Sequence, residues 1–83
     1  MTDEQILDLL RRALHQAAPK AAAKAPDLQL THTVKDLGID SVALMEMVGC
    51  VEEEIGAQFP DDELAQLHTL GDFAACIRRR LAS

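Results

Sequence analysis

An all-α bundle of three main helices and one short helix, with a long first loop, is the fold this sequence predicts. Three observations carry that reading. Apolar residues recur at helical spacing in three separate stretches. Prolines and glycines are few, three and four, while charged residues make up 27% of the chain, a composition that suits a small helical bundle. With two Phe and no Trp or Tyr, the core must be built from Leu, Ile, Val, Met and Ala. The 83 residues fit one domain spanning 1–83. A domain this short buries only roughly 60–65% of its unfolded surface, so its stability margin is small.

The first helix opens on Thr2-Asp3-Glu4-Gln5, which reads as a capping box: a hydroxyl at the cap and Gln three residues on. Ile6, Leu7, Leu10, Leu14 and Ala17 follow at helical spacing, and Pro19 should end the helix. Residues 19–35 form the long connection. Two prolines, Pro19 and Pro26, bracket an Ala- and Lys-rich stretch, which is read as mobile loop. Leu28, Leu30 and Val34 should pin the second half of that loop to the core. The second main helix should start at Asp40 as N-cap, with Ser41 at the first helical position. Turning about 100° per residue puts Leu44, Met47, Val48, Val51 and Ile55 on one face, the core face. Val42, Met45, Glu46, Gly49, Glu52 and Glu53 fall on the opposite side, Glu54 points nearer the core edge, and Gly56 is the stop signal. The short helix follows Phe59-Pro60, with Asp61 as cap and Leu64 and Leu67 inward. Thr69 caps the last helix, Asp72 lies three residues on, and Leu70, Phe73, Ala74, Ile77 and Leu81 make its inner face. Arg78, Arg79 and Arg80 sit in its last turn, where the helix dipole favours cations.

Charge and motif content exclude several classes of function. The net charge of −6 speaks against nucleic acid, whose phosphates need clustered Lys and Arg, and makes a basic protein surface the natural complement. No basic segment followed by an apolar run marks a signal peptide, and no stretch approaches the roughly 20 apolar residues of a membrane helix, so the cytoplasm is the expected location. Cys50 and Cys76 fit no zinc spacing and read as small core or boundary residues. His15, His32 and His68 share no ligand spacing. Asp36, Gly38 and Asp40 imitate the start of a calcium loop, but Ser41 stands where that loop needs Gly and Met47 where it needs Glu. No metal is expected, and no catalytic constellation can be read.

One feature remains that carries chemistry. Asp36-Leu37-Gly38-Ile39-Asp40-Ser41 sets a serine at the first turn of a helix, just after a glycine turn. Orphan N–H groups and the positive end of the dipole favour a phosphate there. Val42 and Met45 beside it form a small apolar patch, Gly49 leaves a flat spot, and Glu46, Glu52 and Glu53 rim it, an arrangement suited to transient docking.

From Asp36 to Leu81 the chain resembles the acyl carrier protein family. Asp36-Leu37-Gly38-Ile39-Asp40-Ser41-Val42 is close to the family's D-L-G-x-D-S-L. Met45-Glu46, Glu52-Glu53-Glu54-Ile55, Pro60-Asp61-Asp62-Glu63 and Thr69-Leu70-Gly71-Asp72-Phe73 match further segments in the right order. The resemblance implies an acyl-carrier-like bundle that is not an enzyme. It implies a 4'-phosphopantetheine arm, taken from coenzyme A by a phosphopantetheinyl transferase and attached at Ser41, with Asp40 in support. The arm would hold acyl groups as thioesters. The implied partners are a ketosynthase, an acyltransferase and other synthase enzymes with basic surfaces, which would meet Val42, Met45, Glu46, Gly49, Glu52 and Glu53 on a monomeric carrier. Core leucines and Val51 would line a modest cleft for the acyl chain.

The pathway reading leans to polyketide or related specialised biosynthesis. Fatty acid carriers usually have an acidic residue where this chain has Ala43, and a longer aliphatic where it has Gly49. A fatty acid synthesis carrier is the alternative. A peptidyl carrier is the lesser rival, since its G-G-x-S signature is missing, and an arm-less interaction module fits poorly with an intact Asp40-Ser41.

Overall fold

The computed structural model describes residues 1–82, and among them every regular element is helical. The order is α1 (Asp3–Ala17), α2 (Pro19–Lys24), α3 (Ser41–Ile55), α4 (Asp61–Leu64) and α5 (Leu70–Ala82). Helix α1 packs against α2, α3 and α5.

Local chemistry sets the start of α1. Thr2 Oγ1 accepts from the Gln5 N–H at 3.2 Å and Gln5 Oε1 accepts from the Thr2 N–H at 2.8 Å, the reciprocal box expected. The buried stripe is Ile6, Leu9, Leu10, Ala13 and Leu14. Leu7 and Ala17, expected inside, are only half-buried.

Helix α2 corrects the expectation of a mobile loop over 19–24. Pro19 does not merely stop α1; it occupies the first turn of the next helix. At that position its missing N–H costs nothing and its fixed φ favours the helix. Ala and Lys continue it well. Ala22 is buried, and Pro26 lies just past the end. Two prolines thus frame a helix rather than forbid one.

The remainder of the connection is stitched to the start of α5. The Gly71 N–H donates to the Leu30 carbonyl at 2.8 Å, Leu70 N–H to His32 at 2.9 Å, and Val34 N–H to His68 at 2.9 Å. Leu28 and Leu37 are buried beneath, while Leu30 and Val34 are half-buried. A side chain on Gly71 would meet the Leu30 carbonyl at 3.2 Å, so this seam is tight.

Met47, Val48 and Val51 on α3 meet Ile6, Leu10 and Leu14 on α1 and Leu70, Phe73 and Ile77 on α5 in one core cluster. Leu44 and Ile55 pack at its edge. Phe59 and Phe73 cross edge to face with ring centres 5.9 Å apart, an arrangement that adds roughly 0.5–1.5 kcal/mol to their burial. Gly56 ends α3 in the left-handed region at φ 70°.

Three smaller expectations are corrected. Asp61 is not the cap of α4 but its first residue; Pro60 holds the cap position, with no side-chain hydrogen bond. Asp61, Asp62 and Glu63 then crowd the first turn, where the dipole favours them. Leu81 is 45% exposed, because the buried side chains of α5 end at Ile77 and the helix outruns the core. Glu54 does not turn to the core edge; it is exposed and pairs with Arg12 at 3.4 Å. Cys76 is buried and Cys50 half-buried, both as free thiols. Burial pushes the Cys76 thiol up, against a weaker opposing pull from Arg79.

Candidate functional site

The turn before α3 is built by backbone bonds. Asp36 N–H donates to Thr33 Oγ1 at 2.9 Å, and Gly38 N–H to the Lys35 carbonyl at 3.0 Å. Gly38 then takes φ 69°, a conformation that other residues adopt at a cost. Ile39 N–H returns to the Val34 carbonyl at 3.2 Å. The chain leaves this turn extended at Asp40 (φ −86°, ψ 177°), which caps α3.

Asp40 does the capping alone. Its Oδ1 accepts from the Ala43 N–H at 2.8 Å and its carbonyl accepts from the Leu44 N–H at 2.9 Å. Ser41, the first helical residue, is exposed. Among the described residues nothing bonds its hydroxyl, and the Ser41 and Val42 N–H groups are likewise unspent. A free hydroxyl beside open helix-terminal donors suits a phosphodiester: the hydroxyl can be esterified, and the donors and dipole accommodate the charge.

Beyond Ser41 the exposed face of α3 carries the expected patch. Val42 is 69% and Met45 54% exposed. Glu46, Gly49 and Glu53 are exposed, and a side chain at Gly49 would meet nothing within 4 Å. Glu52 differs from the reading of a solvated rim. It is half-buried, and its Oε2 accepts from the Phe59 N–H at 2.7 Å. That carboxylate ties α3 to the loop before α4.

Sequence reasoning missed a cleft beside this site. Lys20, Ala21, Lys24 and Ala25 form one wall; Asp36, Leu37 and Gly38 form the other. Its volume is about 370 Å³. The i, i+4 spacing of Lys20 and Lys24 was the available signal, but it means something only once α2 is seen as a helix. The expected acyl cleft at the core leucines and Val51 is closed over: Val51 is fully buried, and so is Met47 beside it on α3. Among the described residues no cluster of His, Cys, Asp and Glu could hold a metal ion. Among the described residues no helix is long and apolar enough to cross a membrane.

The family described as "Phosphopantetheine attachment site" matches residues 4–77. A monensin polyketide synthase acyl carrier protein of Streptomyces virginiae is 38% identical over 74 residues, 89% of this chain and 84% of the relative. An anthracycline acyl carrier protein of a Streptomyces species is 37% identical over 60 residues, 70% of this chain and 71% of the relative. An acyl carrier protein of Acidothermus cellulolyticus is 33% identical over 73 residues, 87% of this chain and 83% of the relative. No solved structure matches.

Proposed function

Because this chain belongs to the phosphopantetheine-attachment family of acyl carrier proteins, we propose that Ser41 is the residue that bears the arm. The protein is a carrier and not a catalyst. It works with synthase enzymes, and its cofactor is 4'-phosphopantetheine, whose terminal thiol holds acyl groups as thioesters. Tethering raises the effective concentration of cargo at each partner without any new contact.

The observation that supports Ser41 is its exposed, unbonded hydroxyl at the first position of α3, over an Asp40 cap. Phosphopantetheinyl transferase would esterify that hydroxyl from coenzyme A: the Ser41 Oγ–P bond forms as the pyrophosphate bond of coenzyme A breaks, 3',5'-ADP leaves, and the hydroxyl proton passes to solvent. Ser41 contributes the nucleophilic oxygen, the first turn of α3 receives the phosphodiester, and Asp40 keeps the turn wound. Ketosynthase and acyltransferase surfaces of positive charge then meet Val42, Met45, Glu46, Gly49 and Glu53. Glu52 contributes charge while holding Phe59. The carrier acts as a single monomeric domain in the cytoplasm.

For the pathway we favour polyketide or related specialised biosynthesis. Ala43 and Gly49 support it, as does the likeness to a carrier named for a polyketide synthase. The test of the anchor is intact mass before and after incubation with coenzyme A and a broad-specificity transferase. One phosphopantetheine is added to the wild type and none to Ser41→Ala. Modification of the variant would sink the assignment.

A further inference from the structure

The positive charges of this acidic chain divide into two groups. All five arginines meet the protein's own carboxylates. Arg11 and Arg12 pair with Asp8, Arg12 also with Glu54, Arg78 with Asp3, and Arg79 and Arg80 with Glu63. The three lysines all fall between α1 and α3, and among the described residues no ion pair claims them. Lys20 and Lys24, one turn apart on α2, line the cleft whose far wall is Asp36, Leu37 and Gly38.

That cleft lies within reach of Ser41. Gly38 is three residues upstream, so chain length alone keeps the two Cα atoms within about 11 Å. The lining is mixed in character: two ammonium groups, the apolar side chains of Ala21, Ala25 and Leu37, and one carboxylate. Its volume of about 370 Å³ is near the lower end of small-molecule sites, roughly 300–1,000 Å³.

We propose that this cleft is the resting place of the phosphopantetheine arm, which folds back over Gly38 between α2 and the turn. The proposal rests on Ser41 as the anchor. Each lysine offers three donors and no acceptor, matching the phosphodiester oxygens and the amide carbonyls of the arm. The geminal methyls of the arm lie against Ala21, Ala25 and Leu37. Asp36 accepts from the arm's amide N–H and hydroxyl groups. Gly38 leaves the passage clear, since a side chain built there would meet nothing within 4 Å, and its absence keeps the backbone open to the arm. The carrier would hold its arm on the face opposite in charge to its acidic docking helix, and release it when a partner binds.

The test compares backbone amide shifts of the full ¹⁵N-labelled chain before and after loading with coenzyme A and a transferase, with intact mass recorded on the same samples. Wild type, Lys20→Gln/Lys24→Gln and Lys20→Arg/Lys24→Arg are run in parallel, and each apo spectrum reports folding. Loading should move Ala21, Ala25, Leu37 and Gly38 as well as the residues around Ser41. The cleft shifts should vanish in the Gln pair and return in the Arg pair, with the mass gain equal in all three. A full mass gain with shifts confined to Asp40–Leu44, or cleft shifts indifferent to the Gln pair, would overturn the resting place and leave the anchor intact. No mass gain in wild type would overturn both.

Discussion

Two helix starts in this molecule are built from similar residues to opposite ends. At α5 the cap is closed on both sides. Asp72 N–H donates to Thr69 Oγ1, and Asp72 Oδ2 accepts from the N–H groups of both Thr69 and His68, each at 3.0 Å. At α3 the cap is one-sided. Asp40 accepts from Ala43, nothing reaches back, and the hydroxyl next to it is left free. The α5 start sits on the core through Leu70 and Phe73, whereas the α3 start faces solvent through Ser41 and Val42. A closed cap commits its donors to stability; an open one leaves them unspent, as the proposed phosphodiester site needs.

The largest break in that comparison should come at Ser41. Ser41→Ala should abolish arm attachment entirely while leaving stability within about 0.5 kcal/mol, as befits an exposed position. Intact mass and thermal melting check the two halves. Loss of stability together with loss of modification would mean that the α3 start is structural after all.

The α5 cap should respond the other way. Asp72→Ala removes the acceptor for two N–H groups and should cost about 1–2 kcal/mol, with arm attachment unchanged. The backbone N–H of Thr69, then that of His68, holds the Asp72 carboxyl below the ordinary carboxylate range. Its folded value is thus lower than its unfolded one. The stabilisation is therefore present in full above the unfolded value and fades as pH falls through the folded one. Urea melts should show the gap between wild type and Asp72→Ala narrowing below about pH 4. A constant gap would contradict the charged-cap account.

A smaller effect is expected in the middle of α3. Gly49→Ala should stabilise the fold by roughly 0.5–1 kcal/mol, since a methyl there meets nothing and helix interiors disfavour Gly. If Gly49 serves a flat contact, the same change should weaken docking to a synthase enzyme, and thermal melting paired with a binding assay separates the two. The smallest effects belong to the rim. Glu46→Gln and Glu53→Gln should each weaken docking by roughly two- to threefold at low salt and less at high salt. Glu52→Gln keeps an oxygen for Phe59 and should behave like them. Glu52→Ala should destabilise as well.

What was legible in the sequence was what adjacent residues decide. The capping box at Thr2, the left-handed stop at Gly56 and the Asp40-Ser41 start are each written within a few positions. The periodic stripes follow from one helix's geometry. Apart from the one-residue shift of the α4 cap from Asp61 to Pro60, the misreadings occurred where the answer depended on how separate elements pack. Pro19 can end one helix or begin the next, and burial of Ala22 is visible only once α2 has packed on α1. Leu81 keeps the right phase but falls beyond the core. Glu52 has a surface position by periodicity, yet the loop returning through Phe59 captures its carboxylate. The Lys20–Lys24 cleft needs both α2 and the Gly38 turn, which approach from opposite ends of the connection.

The backbone seam joining Leu30, His32 and Val34 to His68, Leu70 and Gly71 bears on where this chain can be cut or lengthened. Pro26 and Asp27 are exposed, lie between α2 and the seam, and make none of its bonds. A reporter peptide spliced between them should leave the carrier folded. The same splice after His32 would separate the platform under Ser41 from α5, so it should unfold the helix that holds Phe73 along with the turn that presents the serine.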